Sequence, residues 1–163
     1  MITAHLPAGY ALWRVVGGRS YARLVAALAG SALPDTDLLF FYFVDGGAIH
    51  HHRYWVHVPA FWLVVAAAAL PISARAGLLD LAVVFLGAVF LHLALDSVTG
   101  GIMWLYPADD TLYEMVTVPA TQAHRLLSFV LHWTFLLEFA IWGLAAVLWW
   151  RSRQVQGRPT HRN

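Results

Sequence analysis

Four of the nine histidines in this cysteine-free chain, His50, His51, His52 and His57, fall within fifteen residues, DGGAIHHHRYWVHVP at 45–59. Imidazole titrates near neutral pH and, when neutral, is the commonest metal ligand, so the stretch points first to metal chemistry. A titratable surface patch or a chance run would have the same composition. With no thiolate in the chain, a metal must be held by His, Asp and Glu. His92 and Asp96 stand four apart at the end of an apolar run, so both leave one helix face about one turn apart. That spacing suits two ligands of one ion, or a hydrogen bond closing a helix end. Asp35 and Asp37 follow Pro34 in LPDTD. In an extended segment the two carboxylates share a side and can serve one ion or bridge two, whereas in a turn they would cap a helix. His52 and His57, five apart, would lie about 140° out of register on a continuous helix. His52 is therefore expected in the turn before a helix and His57 on its first turn, with His50 and His51 solvated or supporting.

The elements that must bring these groups together are those of a membrane protein. Of 163 residues, 60% are hydrophobic and only 12% charged, with a mean hydropathy of +0.64; soluble domains carry about 25% charged residues. The eight Trp and six Tyr suit the two water interfaces of a bilayer. A net charge of +1 and the lack of any basic face argue against nucleic acid as a partner. We expect an all-α, polytopic membrane helical bundle: an N-terminal helical hairpin over 8–33, stopped by Pro34, and three full spans at 55–72, 77–95 and 128–150. Residues 1–150 form one membrane-embedded domain, and the polar tail 151–163 is expected to be disordered. A secretory-signal reading of 14–33 fits less well, since the chain stays apolar afterwards.

The tight link at 73–76 makes the first two spans antiparallel, which sets His57 on the same side of the membrane as His92 and Asp96. The long loop 97–127 then lies on the same side, and the hairpin returns His5 and Asp35 there. A single span over 24–44 would instead leave His5 apart from the rest. Arg14, Arg19, Arg23, Arg75, Arg151, Arg153, Arg158 and Arg162 sort to the opposite side. The positive-inside rule then places the arginines in the cytoplasm and the His/Asp site on the outer, periplasm-like side of the membrane.

His5, LPDTD at 33–37, HRYWVH at 52–57, HLALD at 92–96 and TGGIMWLYP at 99–107 occur in an order that resembles the YdjM-type inner-membrane proteins, described as predicted metal-dependent hydrolases. The resemblance covers residues 5–107. It implies distant kinship with the all-helical zinc-dependent phospholipase C and single-strand nucleases. By position it also implies His5, Asp35, His52, His57, His92 and Asp96 as metal ligands, with Asp35, Asp37 and Arg53 as catalytic groups. Two departures stand out. Val56 and Val58 flank His57 where the family usually has Thr and Ser, and His132 and Glu138 are six apart where the distant relatives carry a His and Glu on one helix face.

The function expected is hydrolysis of an ester or phosphoester, a lipid-like one suiting a site at the bilayer edge, by one or two divalent ions, zinc above all given the imidazole donors. Asp35 or Asp37 would position or deprotonate the water, and Arg53 would stabilise charge, with His124 and Arg125 near the overlying loop. The rivals are a structural or sensory metal site and a metal or proton transporter using His92, Asp96 and Glu138.

Overall fold

The protein, examined as a computed structural model, is described at residue 1 and residues 3–156. Arg158, Arg162 and the rest of the tail beyond Gln156 lie outside the described residues. Helix α1 (His5–Val15) and helix α2 (Tyr21–Ala32) form the expected hairpin. Its turn is closed by Trp13 Nε1–H donating to the Ser20 carbonyl and Arg14 to that of Gly18, and the Ser20 hydroxyl caps α2 by accepting from the Arg23 N–H.

A 3-10 turn at Pro34–Thr36 then bends the chain by 50° into α3 (Asp37–Phe43). Proline is favoured here because it lacks the N–H that a continuing helix needs. Two further 3-10 turns, His51–Arg53 and Trp55–His57, lead into α4 (Pro59–Arg75), and α5 (Leu79–Asp96) follows. The helix after the histidines thus starts at Pro59 rather than Trp55, its first position taken by a residue whose fixed φ suits a helix start. His57 consequently sits in a turn before the helix, not on its first turn.

Among the described residues two helical stretches are long and apolar enough to cross a membrane, Leu79–Asp96 and Phe135–Gln154, or three if the bent pair α2 and α3 is one span. The expected span over 55–72 is the shorter, 17-residue helix α4. The expected single helix over 128–150 is broken into α6 (Arg125–Val130) and α7 (Phe135–Gln156). At the break the His132 Nδ1 lies 2.9 Å from the Thr134 hydroxyl, a local side-chain bond of the kind that competes with helical pairing. Helix α7 continues through Gln156, so residues 151–156 of the expected disordered tail are helical.

Helix α2 lies against α5 in parallel: Arg23 pairs with Asp80 at 2.7 Å at one end, and Ser31 meets His92 at the other. Close approach is possible because Gly30 presents no side chain to α5; a Cβ there would overlap the Phe85 carbonyl oxygen. The core between α4 and α5 holds Trp62, Leu86, Val89 and Leu93, closed by Ile102 from the long loop. That loop is ordered. Ile102 and Tyr113 exchange backbone hydrogen bonds, and Met115 and Val116 donate back to the Ser97 and Val98 carbonyls.

Candidate metal centre

Four separate stretches converge at the end of the bundle where α2 and α5 finish: the start of α1, the α2–α3 bend, the two 3-10 turns and the last turn of α5. His5, Asp37, His52, His57, His92 and Asp96 are all buried there. The conformation of each imidazole follows from what its Nδ1 meets. His57 Nδ1 is 2.6 Å from Asp37 Oδ2, His92 Nδ1 is 2.8 Å from the Ser31 carbonyl, and His52 Nδ1 is 2.9 Å from the carbonyls of both Gly100 and Gly101. These acceptors require the proton on Nδ1 in all three rings. Each Nε2 lone pair is thereby turned inward, the arrangement in which an outer oxygen orients a metal-binding histidine.

The inward atoms lie close together. Asp96 Oδ2 is 2.9 Å from His92 Nε2, 3.5 Å from His57 Nε2 and 3.7 Å from His52 Nε2. His57 Nε2 and His92 Nε2 are 3.2 Å apart, and Asp35 Oδ1 is 3.7 Å from His92 Nε2. Donors about 2.0–2.1 Å from a tetrahedral zinc ion stand about 3.4 Å from one another, so these separations match the edges of such a polyhedron. His5 stacks on His92, with centroids 3.8 Å apart, and its Nε2 is 3.2 Å from Asp96 Oδ1, which also meets the Met1 amine at 2.5 Å.

His5 Nδ1, Asp37 Oδ1, His51 Nδ1 and Asp96 Oδ2 are buried without a hydrogen-bond partner among the described residues. With its Nδ1 proton turned to Ser31, a neutral His92 presents only the Nε2 lone pair to Asp96 Oδ2. Lone pairs of two imidazoles and a carboxylate cannot share so small a volume without a cation among them. A metal ion meets that need; so does a proton. Burial lowers the His57 pKa, yet the hydrogen bond to Asp37 and the negative charges of Asp37 and Asp96 outweigh it and push the group up to about 9. Burial dominates at His52, which is pushed down to about 3 although Asp96 opposes the shift.

Ring nitrogens and carboxylate oxygens fall into two compact sets, His5–Asp35–His92–Asp96 and His51–His52–His57, each with three or four donors of the types zinc prefers. His51, expected to be solvated or supporting, stands close to the cluster, its Nδ1 3.7 Å from Asp37 Oδ1. Asp37 lies between His51 and His57, 3.7 Å from one and 2.6 Å from the other. The carbonyls of Ser31, Gly100 and Gly101 were equally invisible to motif reasoning, although the Gly100-Gly101 pair just beyond the His92/Asp96 helix is a usable signal for close backbone approach. A Cβ at Gly100 would overlap the His52 ring.

His51 and His52 also line a cavity of about 570 Å³, whose walls include Leu38, Phe41, Leu126 and Phe129. Arg53 lines a different cavity, beside Trp55, Phe61 and Tyr106, and its guanidinium is 3.7 Å from Asp110. His124 is exposed at the start of α6, and the Arg125 side chain lies outside the described residues.

No curated protein and no solved structure matches the chain. Residues 1–157 match the family described as YdjM inner membrane protein, and over nearly its whole length the chain belongs to that family.

Proposed function

We propose that this protein is a membrane-bound, metal-dependent hydrolase of esters or phosphoesters. The observation that carries the reading is the inward convergence of His52, His57 and His92 Nε2 on Asp96 Oδ2, with every Nδ1 tied to an oxygen. The two donor sets have room for one or two ions, and their imidazole-rich chemistry favours zinc. A bound zinc ion would polarise the scissile bond and acidify a water.

Asp35, partly exposed where Asp37 is buried, is the carboxylate best placed to accept the proton of that water. Asp37 holds His57 and His51 in orientation. The cavity beside His51 and His52 would admit the substrate, and its apolar walls from α3 and α6 suit an acyl chain next to a polar ester. Arg53 would need to leave Asp110 to meet an anionic group. The periplasmic side for the site rests on the arginine distribution: Arg14, Arg23 and Arg75 lie at helix ends away from it.

Zinc content of the purified wild type against Asp96→Ala tests the foundation. One to two ions per chain in the wild type and background in the variant are expected; background in both would end the metal reading. Hydrolysis of phospholipid or a nitrophenyl phosphodiester by the zinc-loaded protein, lost in Asp35→Asn with zinc retained, tests the reaction. A loaded protein inactive on both substrate types would leave a structural or sensory metal site as the better account.

A further inference from the structure

Helix α7 holds one carboxylate, Glu138, and it is 1% exposed. A carboxylate inside an apolar span is costly to keep and needs partners. Glu138 Oε2 accepts from the Thr3 N–H at 2.7 Å and from the Thr3 hydroxyl at 2.5 Å. One turn on, Trp142 Nε1–H donates to Thr3 Oγ1 at 3.2 Å. Thr3 immediately precedes Ala4, the N-cap of α1, which has no capping side chain of its own. The first N–H groups of a helix lack partners, and its positive end favours an anion. Glu138 reaches, from another helix, the residue just before that N-cap.

Two residues beyond Thr3 comes His5. The other donors are fixed by the α2–α3 bend, the 3-10 turns and α5, whereas the place of His5 depends on where the chain enters α1. We propose that Glu138 is a positioning residue of the centre: through Thr3 it fixes the start of α1, so that His5 is held against His92 and Asp96. Helix α7, which packs on α1, thereby determines the position of one donor without contributing a ligand itself. Only the second readout below rests on the metal reading.

The first readout uses metal-free protein in detergent and follows modification of each histidine by diethylpyrocarbonate, by peptide mass. His5 in Glu138→Ala should react about tenfold faster or more, as expected of a local opening, while His57 and His92 stay protected. Glu138→Gln, which keeps an acceptor oxygen, should largely restore protection. If all site histidines became reactive together in Glu138→Ala, Thr3→Val would replace it, with the same selective exposure of His5 expected. Unchanged His5 protection in the folded variant overturns the proposal whether or not zinc binds. The second readout is zinc affinity. Glu138→Ala should weaken it by about 10–100-fold and add nothing in a His5→Ala background. Additive losses would mean that Glu138 does not act through His5.

Discussion

His52 and His57, with ring centroids 4.5 Å apart, are driven to opposite ends of the pH scale, about 3 and about 9. The sign of each effect on metal-free stability follows from comparison with about 6.5 in the unfolded chain. His57, raised, contributes stability that is fully present below pH 6.5 and lost as pH climbs through about 9. His52, lowered, stays neutral while the unfolded chain takes up a proton, so stability is lost as pH falls from 6.5 toward 3. The melting temperature of the chelated protein should therefore be highest near pH 6.5, and His57→Gln should flatten the alkaline limb. Stability still rising between pH 7 and 9 in the wild type would contradict this. Asp37→Asn, which keeps the volume but not the charge that orients His57 and His51, should weaken zinc binding by about 10–100-fold, as a competition titration with a chelator would measure. At this scale the sequence was readable for charged motifs: His5, Asp35, Asp37, His52, His57, His92 and Asp96 all reach the cluster. It was silent on the backbone carbonyls that fix the tautomers, because a carbonyl has no residue type. The closeness of His51 to His52 and His57 was not readable, because helical periodicity cannot place a residue in a 3-10 turn.

The elements obey close-packing rules set by small residues. Gly30→Ala would force α2 from the Phe85 carbonyl, a backbone atom that cannot rotate aside, and draw the Ser31 carbonyl from His92. We expect a loss of about 1–3 kcal/mol in stability from the overpacking, together with weaker zinc binding; denaturant unfolding and zinc titration of one preparation would show both. Gly100→Ala should have the narrower effect, since it meets the His52 ring: zinc affinity falls while the melting temperature of the chelated protein moves little. An equal fall in both would mean that the site is not the point of contact. Apolar runs revealed α5 and the hairpin because their periodicity is continuous. The break at 131–134 and the start of α4 at Pro59 depend on local side-chain bonds and turn geometry, which average hydropathy over a window erases.

Across the whole molecule the described arginines Arg14, Arg23 and Arg75 mark one end and the His/Asp cluster the other. In the cysteine-free chain, single cysteines at positions 46 and 76 should label from outside and inside the cell respectively. Label reaching position 46 only from the cytoplasm would reverse the proposed orientation. The tight link between α4 and α5, expected at 73–76 and found at 76–78, made their shared end legible, whereas the embrace of α7 and α1 through Glu138 was not, because it joins residues 135 positions apart. The bend at Pro34–Thr36 has a last consequence. The Ser31 carbonyl that meets His92 is one that a longer α2 would claim for its own ladder, so helix regularity and the orientation of His92 compete for one oxygen atom. Selection for a sturdier α2–α3 helix would erode the cluster, and the interruption here is a feature that stabilising design would remove first.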